Sequence, residues 1–213
     1  MIASDDHEFG DHEAHSQGSI TRAQWDDEWA KHHPDDGAGA DEVLVAEVSG
    51  LEPGTALELA CGEGASAVWL ATQGWQVTAI DFSDVAVDRG RTAAREAGVT
   101  VGFVVSDVRS YQPNGVFDLV MVSSLHLAGS EQAELVRKLS GLVAPGGTLL
   151  YVGHDPSDED VTQMGLAVPG PNEVTELLDG FEIDRADITP RQLSFDAETW
   201  DVQDVIVRAR RAE

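Results

Sequence analysis

Apolar residues recur along this chain at two spacings, and each change of spacing marks a change of element. In 131–143, Leu135, Val136, Leu139, Leu142 and Val143 fall three and four residues apart, which is one face of a helix. Segments 65–73 and 84–97 read as further helices. Between them lie short apolar runs at 56–60, 76–80, 99–105, 117–122 and 148–152, the length of strands. Gly74, Gly98 and Pro145-Gly146-Gly147 punctuate the joints. Repeated strand–helix units predict an α/β, Rossmann-like parallel sheet with helices on both faces.

The two ends of the chain depart from that alternation. Thr21 can cap a helix running to Lys31, with Trp25 and Trp29 four apart on one side, and Pro34 ends it. Residues 35–39 form an Asp/Gly linker, and 41–48 read as a second amphipathic helix. Near the C-terminus, 172–179 is a short helix. The runs 181–189 and 202–209 follow with no helix between them, so they can pair antiparallel and close the sheet edge. Three regions are expected: a disordered acidic tail at 1–19, a helical lid or cap at 20–50, and the main α/β domain at 51–213.

Charge narrows the choice of partner. The chain of 213 residues carries 39 acids against 13 bases, a net of −26. Such a surface repels nucleic acid backbones and anionic membranes, so neither is an expected partner. No apolar run exceeds five residues (67–71), too short for a membrane span. The start, Met-Ile-Ala-Ser-Asp-Asp-His-Glu, lacks a secretory signal, and Cys61 is the single cysteine. A cytoplasmic location is the expectation. His7, His12 and His15 lie in the tail, where an unfolded segment holds no fixed metal geometry, so no metal site is expected.

Candidate chemistry follows the strand ends, where doubly wound sheets bind ligands. After the first strand comes Glu58-Leu59-Ala60-Cys61-Gly62-Glu63-Gly64. Its glycines permit a sharp turn and close backbone approach to a ligand. After the second comes Asp81, 19 residues beyond Gly62 and placed to accept ribose hydroxyls. After the third comes Asp107-Val108, a carboxylate and an apolar wall for an adenine. Each has a plainer reading: a tight turn, an N-cap for which Ser83 competes, a loop acid. Together they point to a nucleoside cofactor. Gly62-x-Gly64-x-x-Ala67 also meets the looser dinucleotide pattern. Glu58 beside that turn suits a cationic amino acid better than a pyrophosphate. Cys61 has no base near it in sequence, which argues against a nucleophile.

These stretches, with Val77-Thr78-Ala79-Ile80-Asp81-Phe82-Ser83, Phe117-Asp118-Leu119-Val120 and Leu142-Val143-Ala144-Pro145-Gly146-Gly147-Thr148-Leu149-Leu150, resemble the class I S-adenosylmethionine-dependent methyltransferases. Trp25-Asp26-Asp27-Glu28-Trp29, Ser124-Leu125-His126-Leu127 and Gly153-His154-Asp155 resemble the tellurite-resistance and thiopurine-type branch acting on small molecules. The resemblance implies a seven-stranded sheet with one reversed strand, S-adenosylmethionine as cofactor and methyl transfer to a thiol, chalcogen oxyanion or hydroxyl. It implies a cofactor site in which Gly62, Gly64, Ala60 and Cys61 line the methionine part, with Ser123 opposite. Glu58 would hold the loop or the amino group, Asp81 the ribose, Phe82 and Ser83 the adenosine side, and Asp107 and Val108 the adenine. Read from the residues, Trp25 and Trp29 either form a lid over the methyl group, where an aromatic face suits a sulfonium, or pack the N-terminal helix on the core; the flexible linker beside them favours the lid, with Trp29 at the cofactor. Ala65 stands where related sequences often carry Arg or Asn, and Asp35 and Asp36 where they often carry Asn. His126 and His154, both at strand ends on the cofactor side, are the candidates for moving a proton. Two other readings stay open: a non-catalytic protein binding the same cofactor, and a nicotinamide-dependent oxidoreductase.

Overall fold

The computed structural model describes residues 21–31, 39–125, 127, 130–157, 161, 168–195 and 198–213, with side chains at all of these except 24, 28, 31 and 193–200. The acidic tail with His7, His12 and His15, the linker around Asp35 and Asp36, and His126 lie outside the described residues. The chain runs α1 (Arg22–Lys31), α2 (Glu42–Val48), β1 (Thr55–Leu59), α3 (Ala65–Thr72), β2 (Gln76–Asp81), α4 (Asp84–Glu96), β3 (Gly102–Val105) and β4 (Phe117–Ser123). Then follow α5 (Glu131–Ser140), β5 (Val143–His154), α6 (Pro171–Thr175), β6 (Phe181–Phe195) and β7 (Glu198–Arg211).

The strands form one seven-stranded sheet in the order β3-β2-β1-β4-β5-β7-β6. Pairs β1–β2, β1–β4, β2–β3 and β4–β5 are parallel, and β7 alone runs against both its neighbours. The expected mostly parallel sheet with one reversed strand is therefore the architecture found. Alternation along the strands splits the core into two layers. Leu57, Leu59, Ile80, Val120, Val122, Leu149 and Tyr151 face α5 and α6, joined by Leu135, Leu139 and Val174. Ala56, Val77, Ala79, Met121, Leu150 and Ile206 face the other way, onto α2, α3 and α4 through Leu44, Leu70 and Val87.

Strand order reverses between β1 and β4, and the crevice beyond their carboxyl ends is the switch point of the sheet. Backbone strain collects there. Ala60 and Ser124, just past β1 and β4, are the non-glycine residues at positive φ, 54° and 50°, among the described residues.

Element bounds differ from the sequence reading for identifiable reasons. The third strand starts at Gly102 rather than 99, because Gly98 ends α4 at φ 68° and the Val99 amide returns to the Ala94 carbonyl at 3.0 Å. Helix α5 stops at Ser140, and Val143 already pairs with Phe117, so β5 runs through Pro145-Gly146-Gly147. The largest difference is at the far edge. Strands β6 and β7 form a long hairpin, paired from Phe181↔Arg211 to Phe195↔Glu198. Strand β5 engages β7 only from Thr148↔Arg210 to His154↔Asp204. The rest of the hairpin overhangs the carboxyl end of the sheet, on the side of the switch point.

Candidate active site

The turn after β1 is held from beneath. Cys61 keeps the strand pattern by donating its amide to the Ile80 carbonyl at 3.0 Å, and the Gly64 amide closes a turn on the Cys61 carbonyl at 2.8 Å. Gly62 and Gly64 adopt φ of 52° and 71°, which side chains rarely tolerate. Neither has room for a Cβ: it would meet the Trp29 ring at 2.9 Å from Gly62 and the Phe103 ring at 2.5 Å from Gly64. The Arg89 guanidinium clasps Glu63 at 2.5 Å, tying the turn to α4.

Asp81 ends β2 beneath this turn. One carboxylate oxygen accepts the Gly62 amide at 2.9 Å, the other the Ser83 amide at 2.9 Å. Each oxygen keeps a second lone pair. Burial raises the Asp81 pKa, against the lowering effect of amide donors, and Asp26 adds to the rise. Ser83 caps α4 by accepting the Ala86 amide at 3.2 Å and donates its hydroxyl to Asp26 of α1 at 2.5 Å. Arg22 reaches Asp84 at 2.8 Å. These contacts lay α1 across the start of α4, with Trp29 over Gly62 and Trp25 stacked on it at 6.2 Å between ring centres.

Glu58 is buried within β1, on the sheet face of α2 and α3. One oxygen has no hydrogen-bond partner, while the Ala67 amide donates to the carboxyl. Burial first, then Asp81, pushes its pKa up to about 8. Cys61 lies between these acids, and burial together with Glu58 and Asp81 raises its thiol well above the usual range. A thiol held protonated is a poor nucleophile.

On the far side of Asp81, Phe82, Val105, Ser106 and Asp107 line a cavity of about 430 Å³, closed by Thr21, Arg22 and Arg109. Asp107 is gripped by the Arg109 side chain at 2.6 to 3.0 Å, which holds its carboxyl below the ordinary range. Val108 sits differently from the adenine wall expected. Its side chain is buried in the core on the α5 face, and its carbonyl accepts from Lys138 at 3.0 Å. Ser123 ends β4, half-buried, opposite Val152 of β5. His154 ends β5, half-exposed.

The structure thus brings Trp29, Ala60, Cys61, Gly62, Gly64, Asp81, Phe82, Ser83 and Asp107 around one crevice, with Glu58 below it. It also reveals groups that motif reading passed over. Asp26 couples α1 to Ser83. Arg191, on the overhanging hairpin, contacts Asp41 at 2.8 Å and the fully buried Asp204 at 2.6 Å. The available signal was Asp204 itself, an acid at an inward position of an alternating strand.

The arrangement fits an adenosyl amino-acid cofactor. A buried carboxyl oxygen lacking a donor suits an ammonium, the glycine turn leaves backbone open to close approach, and the cavity beside Phe82 and Asp107 offers an aromatic face and a carboxylate to a nucleoside. Among the described residues no cluster of His, Cys, Asp and Glu could hold a metal ion, and no helix is long and apolar enough to cross a membrane.

Comparison with known proteins agrees. Residues 56–147 match the family described as "Methyltransferase domain". The chain is 31% identical over 106 residues to the ubiquinone biosynthesis O-methyltransferase of Rickettsia felis, covering 50% of this chain and 43% of that one. The chain therefore spans less than half the length of that relative. The magnesium protoporphyrin IX methyltransferase of Synechocystis PCC 6803 with S-adenosylhomocysteine bound superposes with a TM-score of 0.65. It is 19% identical, over 93% of this chain and 91% of that one. TehB from Haemophilus influenzae gives a TM-score of 0.66 at 17% identity, over 80% of this chain and 62% of that one. From β1 to the start of β5 the chain is similar to the methyltransferase domain family, and its fold is the one shared by these methyltransferase structures.

Proposed function

We propose that this protein transfers the methyl group of S-adenosylmethionine to a small-molecule nucleophile. The observation that carries the reading is the coincidence at one crevice of the glycine turn, the Asp81 carboxylate beneath it and the unpartnered buried oxygen of Glu58. When bound, the cofactor supplies an electrophilic methyl on a sulfonium with a good leaving group. The chain's task is to hold, align and dry the site. Glu58 takes the cofactor's ammonium, the spare lone pairs of Asp81 take the ribose hydroxyls, and Phe82 and Asp107 receive the adenine. Trp29 shields the methyl side and offers its ring face to positive charge. Ser123 lines the methionine side opposite the glycine turn. His126 and His154 are the candidates for accepting a proton from the acceptor.

Acceptors in three classes suit such a site: a thiol, a chalcogen oxyanion or a hydroxyl. The Trp25 to Trp29 stretch and the likeness to TehB support the tellurite-resistance and thiopurine-type branch. The O-methyltransferase relative supports an oxygen acceptor. The net charge of −26 disfavours nucleic acid, and the single cysteine supports a cytoplasmic setting.

Calorimetric titration with S-adenosylhomocysteine tests the reading. Micromolar binding is expected, and Asp81→Ala should weaken it by about 100-fold, the loss of a charge-assisted pair of hydrogen bonds. Absence of heat at millimolar ligand would overturn it. Transfer of labelled methyl to small thiols, phenols and tellurite then separates an enzyme from a cofactor-binding protein without activity.

A further inference from the structure

We infer that Asp204, clamped by Arg191 on the overhanging hairpin, is a positioning residue for His154, and that the pair selects a hydroxyl acceptor whose proton must be removed. The inference rests on the methyl-transfer reading above and names its substrate class.

His154 and Asp204 stand directly opposite in the antiparallel β5–β7 register. Opposed residues in such a pair project to the same sheet face with Cβ atoms about 5 Å apart. That face is the one carrying Ile206, Val152 and Leu150, toward α2. Burial raises the Asp204 pKa, opposed by Arg191 and then by His154, so the imidazole lies within electrostatic reach of the carboxyl. Asp204 is 1% exposed, whereas His154 is half-exposed at the carboxyl end of β5. A buried acid beside an imidazole at the carboxyl end of β5, the end of the sheet that carries the crevice, is an arrangement that can fix ring orientation and stabilise imidazolium. The acid is itself held. Arg191 Nε lies 2.6 Å from Asp204, and Arg191 Nη1 lies 2.8 Å from Asp41 at the start of α2. Among the described residues, the charged groups set on this side of the sheet near His154 include Asp204 of β7, Arg191 of β6 and Asp41 before α2, with Asp155 next in sequence. Asp155 is turned away, accepting the Ser157 amide and hydroxyl, each at 2.8 Å. A thiolate or an oxyanion attacks without a base; a phenol or alcohol needs one. In the step assigned here the acceptor oxygen bonds to the methyl carbon and the methyl–sulfur bond breaks, its electron pair staying on sulfur. The hydroxyl proton passes to His154 and then to solvent.

The test uses the full chain labelled with ¹⁵N-histidine. The His154 ring signals should report one dominant tautomer in the wild type, redistributed in Asp204→Asn and unchanged in Asp155→Asn. If Asp204→Asn folds poorly, Asp41→Asn removes the far charge while still capping α2, and should move the same signals less. Signals unmoved by either variant overturn the pairing. With catechol and thiophenol as probe acceptors, His154→Gln should lower kcat for catechol by about 100-fold, with KM and S-adenosylhomocysteine affinity unchanged. Thiophenol turnover should hold. Unchanged catechol turnover in His154→Gln, or wild-type transfer to thiophenol alone, overturns the hydroxyl assignment. Loss of S-adenosylhomocysteine binding in the wild type would instead end the methyl-transfer reading, whatever the ring signals show.

Discussion

Single residues carry the proposed chemistry of binding, and Glu58 is expected to set its pH dependence. Its carboxyl keeps a proton in the folded chain up to about pH 8, but releases it near 4.5 when unfolded. Between those values the folded state binds more protons, so on this group's account stability falls as pH rises and levels off above about 8. Glu58→Gln should flatten that slope and raise Tm at pH 8 by a few degrees, about 5 °C. Thermal melts at pH 5 and pH 8 give the comparison. Binding a cationic cofactor should expel the Glu58 proton. At pH 7 the association releases close to one proton, and Glu58→Gln releases none. Calorimetry in buffers of different ionisation enthalpy measures the difference. The glycines make a second prediction at this scale. Gly64→Ala places a methyl at φ 71° against the Phe103 ring at 2.5 Å. The expected loss is about 1–3 kcal/mol of stability, read by denaturant unfolding, together with impaired cofactor binding.

Among the elements, α1 is the most weakly attached part of the crevice wall. It is held by Asp26 to Ser83 and by Arg22 to Asp84, contacts that are exposed or only half-buried. Asp26→Ala should leave Tm within about 2 °C, because a partly exposed contact contributes little to global stability. It should nonetheless free α1 from α4, shifting Trp25 and Trp29 fluorescence to the red and weakening S-adenosylhomocysteine binding by about tenfold. A Trp spectrum identical to wild type would show that α1 docks by other contacts. The β6–β7 hairpin is the opposite case. Its strands are paired throughout and joined to α2 by Arg185–Glu47, Arg208–Glu47 and Arg191–Asp41. The sequence reading had two short strands there. Pro190 stands in the edge strand β6, where its missing N–H leaves no ladder bond wanting, so it does not end the strand.

Across the whole molecule the dominant quantity is the net charge of −26. Eleven arginines and two lysines are set against 39 acids, and many of the arginines are used within the fold. Like-charge repulsion on such a surface is screened over about 10 Å at 0.1 M salt. Raising sodium chloride from 0.02 to 0.5 M should therefore increase Tm, by about 5 °C, rather than leave it unchanged. Differential scanning calorimetry over that series checks it. Electrophoretic mobility-shift titrations with duplex DNA should show no complex at low salt, where binding to phosphate would be strongest.

Sequence alone determined the sheet, because it is written in local periodicity. Alternating runs and helical faces give β1 to β5 and α3 to α5, and glycines at strand ends mark the crevice at the switch point. The determinants are short-range, since the turn, Asp81 and Asp107 each follow directly from a strand that patterning reveals. Tertiary structure decided what depends on distant segments meeting. Val108 went to the core because the chain turns after Asp107 to pass under Lys138. Glu58 became a protonated acid because the packed α2 and α3 remove it from water and Asp81 adds a neighbouring negative charge. Arg191, Asp204, Asp41 and His154 are separated by up to 163 residues, from Asp41 to Asp204, and no spacing rule links them. They meet because an antiparallel register sets β7 beside β5, and long-range register is fixed by the burial of a whole face rather than by any one residue.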